Sequence, residues 1–356
     1  MTASGALIEP KEERVRLASH LRKLAYPAVL TLLSLAFAGG ASAQAQAQAQ
    51  APAATYIGVD AYSSPTWAQV GESGSEYYAG SPQSEKFFYK DGLPDSDADT
   101  TSNGVDGCGA TQGTDDSYVY PPSALCIITY NAVTSASDTN LQDFLESTLT
   151  DPHQIILVFC NEPDNGTNDN GCICDLGTKT SCSTPGNFIT EFETESDEVT
   201  DFEQANNASN VRFAEDSWAG HYESGTGGCN FIVPSQYVSY YLADVYEGRG
   251  DPITTPESLG QDTGWTNWIS CTSGNDVRHG IAEFAINCGN EQKSLDNGKY
   301  EEAVAQSFSE DDTYLKANFP GLVVWNLWDS GGCALDNLPG DEPDSLAAWQ
   351  NIESGN

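Results

Sequence analysis

The sequence predicts an α/β fold consisting of a single (β/α)8 barrel, the TIM barrel, on three observations. From Thr55 onward, short apolar runs alternate with amphipathic or turn-rich stretches, which is typical of parallel strands joined by crossover helices. Eight such runs can be counted, as a barrel requires. The part of the chain that contains them, about 300 residues, has the usual length of one barrel domain.

The eight apolar runs are the predicted barrel strands. Most are continuously apolar and β-branched rather than alternating, as expected of strands that are buried on both faces. The predicted strands are residues 56–61, 86–89, 125–129, 154–159, 211–214, 241–245, 280–284 and 322–325.

Helical periodicity predicts helices over residues 138–149, 188–208, 300–319 and 345–352. Trp265 and Trp268, at i and i+3, indicate a further helix that packs onto the barrel. Residues 92–123 are rich in Gly, Asp, Ser and Thr and have no helical period. Either a long loop replaces the second barrel helix there, or the strand count is wrong by one.

The first 43 residues have the pattern of a signal peptide. A basic lead precedes the apolar run 24–38, and Ala41-Ser42-Ala43 offers a small-x-small cleavage site. A membrane anchor is the alternative, but the run contains Pro27 and is short for a span of about 20 residues. The Gln/Ala repeat 44–54 indicates a flexible tether. We therefore expect a secreted protein whose catalytic domain is residues 55–356.

All ten cysteines follow the presumed cleavage site. An even number in an exported chain predicts disulfides, whose connectivity the sequence does not give. The alternative is a metal site at Cys172, Cys174 and Cys182, but three ligands with no nearby histidine make a weak pattern. We expect neither a metal nor a cofactor.

The chain carries 52 acidic and 14 basic residues, a net charge of −38. Such a surface repels nucleic acid, anionic membranes and polyanionic substrates. We therefore expect a neutral substrate, and we expect the protein to be a monomer. It also repels itself, so it indicates a high-salt or an acidic environment, or simply a solvated exterior.

Two glutamates stand at the ends of predicted strands. Glu162 follows the fourth strand and precedes Pro163, and Glu283 ends the apolar run of the seventh. Glycoside hydrolysis needs such a pair, since one carboxylate attacks the sugar and the other protonates the leaving oxygen. The alternatives are a solvated turn at Glu162 and an ion pair of Glu283 with Arg278 or Lys293.

Three motifs resemble those of clan A retaining glycoside hydrolases, which include cellulases and mannanases. They are Asn-Glu-Pro at 161–163, Ile-Ala-Glu-Phe at 281–284 and Val-Trp-Asn-Leu-Trp at 324–328. The resemblance is to exported bacterial members and extends over nearly the whole chain from Tyr56. It implies that Glu162 is the acid/base and Glu283 the nucleophile.

The resemblance also implies further substrate-binding residues. Asn161 matches the asparagine that contacts the sugar 2-hydroxyl. The strongest candidate for a sugar platform is Trp325, and we also expect roles for Trp328 and Trp218, although core packing is the common role of large aromatics. Tyr246 could bond the nucleophile. Lys90 lies in the region where many members carry an arginine on strand two.

The sequence thus predicts a secreted retaining glycosidase that acts on a neutral, β-linked polysaccharide or oligosaccharide. The alternative is an exported carbohydrate-binding or structural protein that keeps the barrel without its chemistry, which the fold alone does not exclude. A serine esterase is disfavoured because the sequence lacks a Gly-x-Ser-x-Gly motif.

Overall fold

The computed structural model of the chain describes residues that all belong to the compact unit Ala53–Asn356. The predicted signal peptide and tether lie outside the described residues, and so does the predicted loop 92–123 apart from Leu93. The described residues are 55–60, 84–89, 93, 125–130, 137–149, 153–165, 173–175, 180–182, 184–223, 228–248, 253–274, 276–286, 301–328 and 343–355.

Eight parallel strands close into a barrel, which confirms the predicted fold class. Each strand pairs with the next one along the chain, and the first pairs with the last. A short antiparallel pair, β5 (Ile173–Asp175) and β6 (Thr180–Ser181), lies outside this sheet. The barrel strands are β1 (Tyr56–Asp60), β2 (Ser84–Tyr89), β3 (Leu125–Tyr130), β4 (Gln154–Phe159), β7 (Val211–Trp218), β8 (Tyr240–Glu247), β9 (Arg278–Ile286) and β10 (Val324–Trp328).

The four predicted helices are present, with ends that differ by up to three residues. Asp262 caps a fifth helix through its side chain, which accepts a hydrogen bond from the Trp265 backbone N–H at 2.6 Å. Trp265 and Trp268 are both buried on that helix, as their spacing indicated. The helices are α1 (Ser137–Thr148), α2 (Pro185–Asn206), α3 (Thr263–Thr272), α4 (Glu301–Asn318) and α5 (Pro343–Glu353).

None of the helices among the described residues is both long enough and apolar enough to cross a membrane.

Alternation along the strands divides the apolar side chains into two layers. One set fills the inside of the barrel, and it includes Leu125, Ile156, Ala214 and Leu242. The other set packs between the sheet and the helices. Because successive strand residues face opposite sides, this division fixes which side chains at each strand end point into the barrel.

Disulfides are present, as the cysteine count predicted. Cys229 and Cys271 are bonded and join the 3-10 turn Gly228–Phe231 to α3. Cys126, Cys160 and Cys182 are also disulfide-bonded. The bond at Cys182 removes it as a ligand of the alternative metal site, and the described part of the chain holds no group of side chains suited to a metal ion.

Gly58 lies on β1 beside β2, and a Cβ there would overlap the Ser84 carbonyl and hydroxyl. We predict that Gly58→Ala lowers the free energy of unfolding by about 1–3 kcal/mol, because the strands must separate to admit the methyl group. Gly186, on α2, is the control. Nothing lies within 4 Å of a Cβ there, so Gly186→Ala is expected to be neutral or stabilising by up to about 1 kcal/mol. Urea denaturation measures both, and equal effects would contradict the prediction.

Candidate active site

Polar side chains converge where the barrel strands end. The residues that continue the inner apolar layer at every second position point inward at this end, which is where barrel enzymes carry their chemistry. Most of them are buried or half-buried. The inward residues at the carboxyl ends of the strands, together with Glu162 beyond β4, are Lys86, Asp216, Trp218, Asp244, Tyr246, Glu283, Asn326 and Trp328.

Glu283 faces the barrel interior because β9 contains a bulge. The register with β8 shifts between Ala243 and Asp244, so that Asp244 pairs with Glu283. Ile281 and Phe284 both pack in the outer layer although they are three residues apart. The extra residue lets Glu283 turn inward while Phe284 keeps its place under the helices, a common use of bulges near active sites.

Two side chains hold the Glu283 carboxylate. Lys86 Nζ lies 2.6 Å from Oε1, and the Tyr246 hydroxyl donates a hydrogen bond to Oε2. The contact predicted for Tyr246 is therefore present. The alternative partner Arg278 instead donates to the Gly321 carbonyl at 2.7 Å. A carboxylate held by an ammonium and a phenol is oriented, and both contacts stabilise its charged form.

Lys86 was not recognised from the sequence. Its ammonium contacts Asp216 Oδ2 at 2.8 Å and both carboxyl oxygens of Asp244 at 3.2 Å, in addition to Glu283. The predicted residue, Lys90, lies outside the described residues. A lysine within a predicted buried strand was the available signal, since lysines are almost never fully buried without partners.

Glu162 lies in a tight turn after β4. Its backbone is left-handed, with φ of 46°, as is that of Cys160, with φ of 64°. The turn is closed by Asn165, whose backbone N–H donates to the Glu162 carbonyl at 3.0 Å and whose side-chain amide donates to Oε2 at 2.9 Å. Glu162 is thereby held beside the strand ends at 8% exposure. Asn161, the predicted neighbour, is half-buried in the same turn.

Asp164 is a second carboxyl group in the turn that sequence reasoning missed. It accepts a hydrogen bond from the Trp218 backbone N–H at 3.0 Å and is buried. Burial, reinforced by the charge of Glu162, raises the pKa of Asp164 to about 8. Asp164 therefore joins the turn after β4 to the end of β7 and holds its proton more firmly than an exposed carboxyl group does.

The position of Trp325 corrects the prediction that it is the sugar platform. It is 1% exposed and packs edge-to-face against Phe284 and Trp349 in the outer layer. The predicted strand ended at Trp325, but β10 ends at Trp328, and residues three apart on a strand face opposite sides. Trp328 faces inward, half-buried, with its ring 4.8 Å from that of Tyr246.

Trp218 is half-buried at the end of β7. Its indole lies over Gly220, where a Cβ would come within 2.6 Å of the ring. Trp218 and Trp328 are therefore two half-buried indoles at this end of the barrel.

The fold and this arrangement define a class: a (β/α)8 barrel that presents acidic side chains at the carboxyl ends of its strands. No protein-family profile matches the sequence, and no curated protein has a significantly similar one. Solved structures do match. The catalytic domain of a Bacillus sp. JAMB-750 GH26 endo-β-1,4-mannanase superposes with a TM-score of 0.50 at 12% identity, over 84% of this chain and 85% of that chain.

An engineered protein of known crystal structure gives a TM-score of 0.52 at 11% identity, over 84% of this chain and 68% of that chain. At these identities the likeness shows the fold, a TIM barrel shared with a solved glycoside hydrolase. The roles of individual residues rest on the geometry of the site itself.

Glu215 gives the barrel a pH-dependent stability. It is buried on the outer face of β7, where Oε2 accepts from the Val233 N–H at 2.7 Å and Oε1 contacts the Ser217 hydroxyl at 2.9 Å. Burial raises the pKa of Glu215 from 4.5 to about 8. An acid whose pKa is raised in the folded state stabilises the fold most below its unfolded pKa, and this stability is lost as the pH rises toward the folded value.

We therefore predict that Glu215→Gln flattens the pH dependence of unfolding between pH 4.5 and about 8, by up to about 1.4 kcal/mol per pH unit. Glutamine mimics the protonated acid, since its amide can donate to Ser217. Thermal melts of both proteins across this range measure the effect. The exposed Glu302→Gln on α4 is the matched control, and a Glu215→Gln slope equal to the wild-type slope would contradict the prediction.

Proposed function

We propose that this chain is a secreted retaining glycosidase that cleaves a neutral, β-linked glycan by double displacement. One observation carries the proposal. The carboxylate of Glu283, in the carboxyl-terminal half of the seventh barrel strand, is held by a buried ammonium and a phenol at the end of the barrel where Glu162 also lies. A side chain held so firmly is oriented for attack on a bound substrate.

In the first step, a Glu283 oxygen attacks the anomeric carbon while Glu162 transfers its proton to the departing glycosidic oxygen. The bond between that carbon and oxygen breaks, and a glycosyl ester forms on Glu283. Lys86 and Tyr246 hold the attacking carboxylate, and Asn165 holds the carboxyl of Glu162.

In the second step, Glu162 has lost its proton and accepts one from a water molecule. The water oxygen attacks the anomeric carbon, the ester bond breaks, and Glu283 is released as a carboxylate. Two inversions leave the configuration of the sugar unchanged. Asn161 is the proposed ligand of the sugar 2-hydroxyl.

The charge of the chain supports a neutral substrate, because a net charge of −38 repels polyuronates and other polyanions. Trp328 and Trp218 offer half-buried indole faces on which a sugar ring can stack. The solved neighbour that acts on β-1,4-mannan makes mannans the first substrates to test. Export through the predicted signal peptide would bring the enzyme to such polymers.

Glu162→Gln and Glu283→Gln test the two roles. We expect Glu283→Gln to abolish turnover, because an amide does not form the ester. Glu162→Gln is expected to lose about 10²–10⁴-fold on polysaccharide, and much less on aryl glycosides whose phenolate leaves without a proton. Glu302→Gln should match the wild type. Initial rates on mannans, β-glucans, galactans and xylans, with the product anomer read by NMR, provide the measurement.

Unchanged turnover in either variant would overturn the assigned role, and an inverted product anomer would overturn the retaining mechanism. If the wild type binds a glycan but hydrolyses none, in either salt-rich or acidic solution, the protein is the non-catalytic binding protein that is the alternative.

Substituting each of the two tryptophans of β10 in turn distinguishes a role in substrate binding from a role in core packing. We predict that Trp328→Ala raises KM by about tenfold, about 1.4 kcal/mol of binding, with little loss of stability. Trp325→Ala is expected to lower the free energy of unfolding by about 3–5 kcal/mol, because it empties a site in the core. Steady-state kinetics and urea denaturation provide the two readouts. A KM effect confined to Trp325→Ala would return the platform role to that residue.

A further inference from the structure

Four side chains form a closed group, here called the Lys86 cluster: Lys86, Asp216, Asp244 and Glu283. The proposed reaction assigns steps to Glu283 and to the ammonium that holds it. It assigns none to Asp216 and Asp244, although their side chains are 0% exposed and each lies within 3.2 Å of Lys86 Nζ. The charge on these two buried carboxyl groups affects the ionisation of the proposed nucleophile beside them.

The Lys86 cluster would carry a net charge of −2 if every member were ionised. Burial opposes this, because like charges in a water-poor interior raise one another's energy and a proton is retained instead. Lys86 is the one cation among the described groups that act on Asp244. The others are acidic or phenolic: Asp216, Glu283, Glu162 and Tyr246.

The contacts with the shared ammonium locate the retained proton. Lys86 Nζ lies 2.8 Å from Asp216 Oδ2 but 3.2 Å from each carboxyl oxygen of Asp244, so a negative charge is better stabilised on Asp216 and the proton is better placed on Asp244. Asp216 Oδ2 accepts from Lys86, whereas Oδ1 receives no N–H or O–H group of the described residues. Burial raises the pKa of both aspartates, and Lys86 opposes the rise at both; at Asp244, whose pKa lies well above its usual value, the charges of Asp216 and Glu283 outweigh that of Lys86.

We propose that Asp216 and Asp244 are a proton-sharing pair that positions Lys86 against Glu283, with the proton on Asp244 and the charge on Asp216. The inference rests on the proposed function. The pair leaves the Lys86 cluster with a net charge of −1. Asp216 and Asp244 each contact the ammonium, and these contacts keep Lys86 in place against Glu283.

The pH profile of kcat/KM tests this inference through Asp216→Asn, Asp244→Asn and the double variant. In either single variant the asparagine supplies the neutral partner and the remaining aspartate ionises, so the cluster keeps its net charge. We expect the acidic limb to stay unmoved in both single variants, whatever the loss in the height of the profile that a less well positioned Lys86 causes. The double variant removes a charge, so Glu283 holds its proton less firmly and the acidic limb moves down by about one pH unit.

Other patterns overturn the pair. If each single variant moves the acidic limb and the double variant moves it about twice as far, both aspartates are ionised in the wild type. If none of the three moves it, both aspartates are neutral. A circular dichroism spectrum and a melting temperature for each variant establish that the fold is kept.

Infrared difference spectra at neutral pH test the pair without any substrate. Compared with the wild type, either single variant should lack one protonated carboxyl band. The double variant should lack that band and, in addition, one carboxylate band. Loss of carboxylate bands alone in the single variants would refute the shared proton. Because no turnover is needed, this result stands even if no glycan is hydrolysed, and it can fail while the glycosidase activity is present. Should a variant not fold, ¹³C NMR of wild-type protein labelled at aspartate Cγ must show one protonated and one ionised carboxyl in the pair.

Discussion

The buried ammonium of Lys86 is the interaction on which the site depends. It joins carboxyl groups from β7, β8 and β9 to β2 across the inside of the barrel. Without a cation at this point, three acidic side chains so close together would repel one another and draw water into the barrel. Its presence allows three strands, β7, β8 and β9, to carry acidic groups and still pack against each other. The same contact that holds Glu283 therefore also holds the barrel mouth together.

Backbone irregularities place the two glutamates. The bulge in β9 turns Glu283 inward. In the turn after β4, the left-handed backbone of Cys160 and of Glu162 itself places Glu162. Left-handed backbone at residues other than glycine costs about 1–3 kcal/mol each. The turn is held by the Asn165 hydrogen bonds and by the disulfide at Cys160. Regular elements bring the strands together, and these local departures from regularity aim the side chains.

The sequence was sufficient for the fold and for the proposed carboxylate pair, because buried parallel strands leave long apolar runs and a glutamate at the end of such a run is conspicuous. It did not predict Lys86, whose importance comes from partners more than a hundred residues away. Trp325 was misplaced because the predicted strand ended three residues early. The inward residue at the strand end is Trp328, and Trp325, three residues before it, faces the opposite side. The bulge that turns Glu283 inward leaves no mark in a pattern of apolar residues.

The acidic composition has different physical meanings inside and outside the barrel. Salt screens repulsion between exposed carboxylates, but it has little effect on groups that water does not reach. Asp164 and Glu215 are such groups, and their pKa of about 8 means that the folded chain holds protons that the unfolded chain releases. Folding is then favoured as the pH falls toward the ordinary range of carboxyl groups. Acidification therefore stabilises the interior through these two groups, whereas added salt acts mainly on the exposed carboxylates.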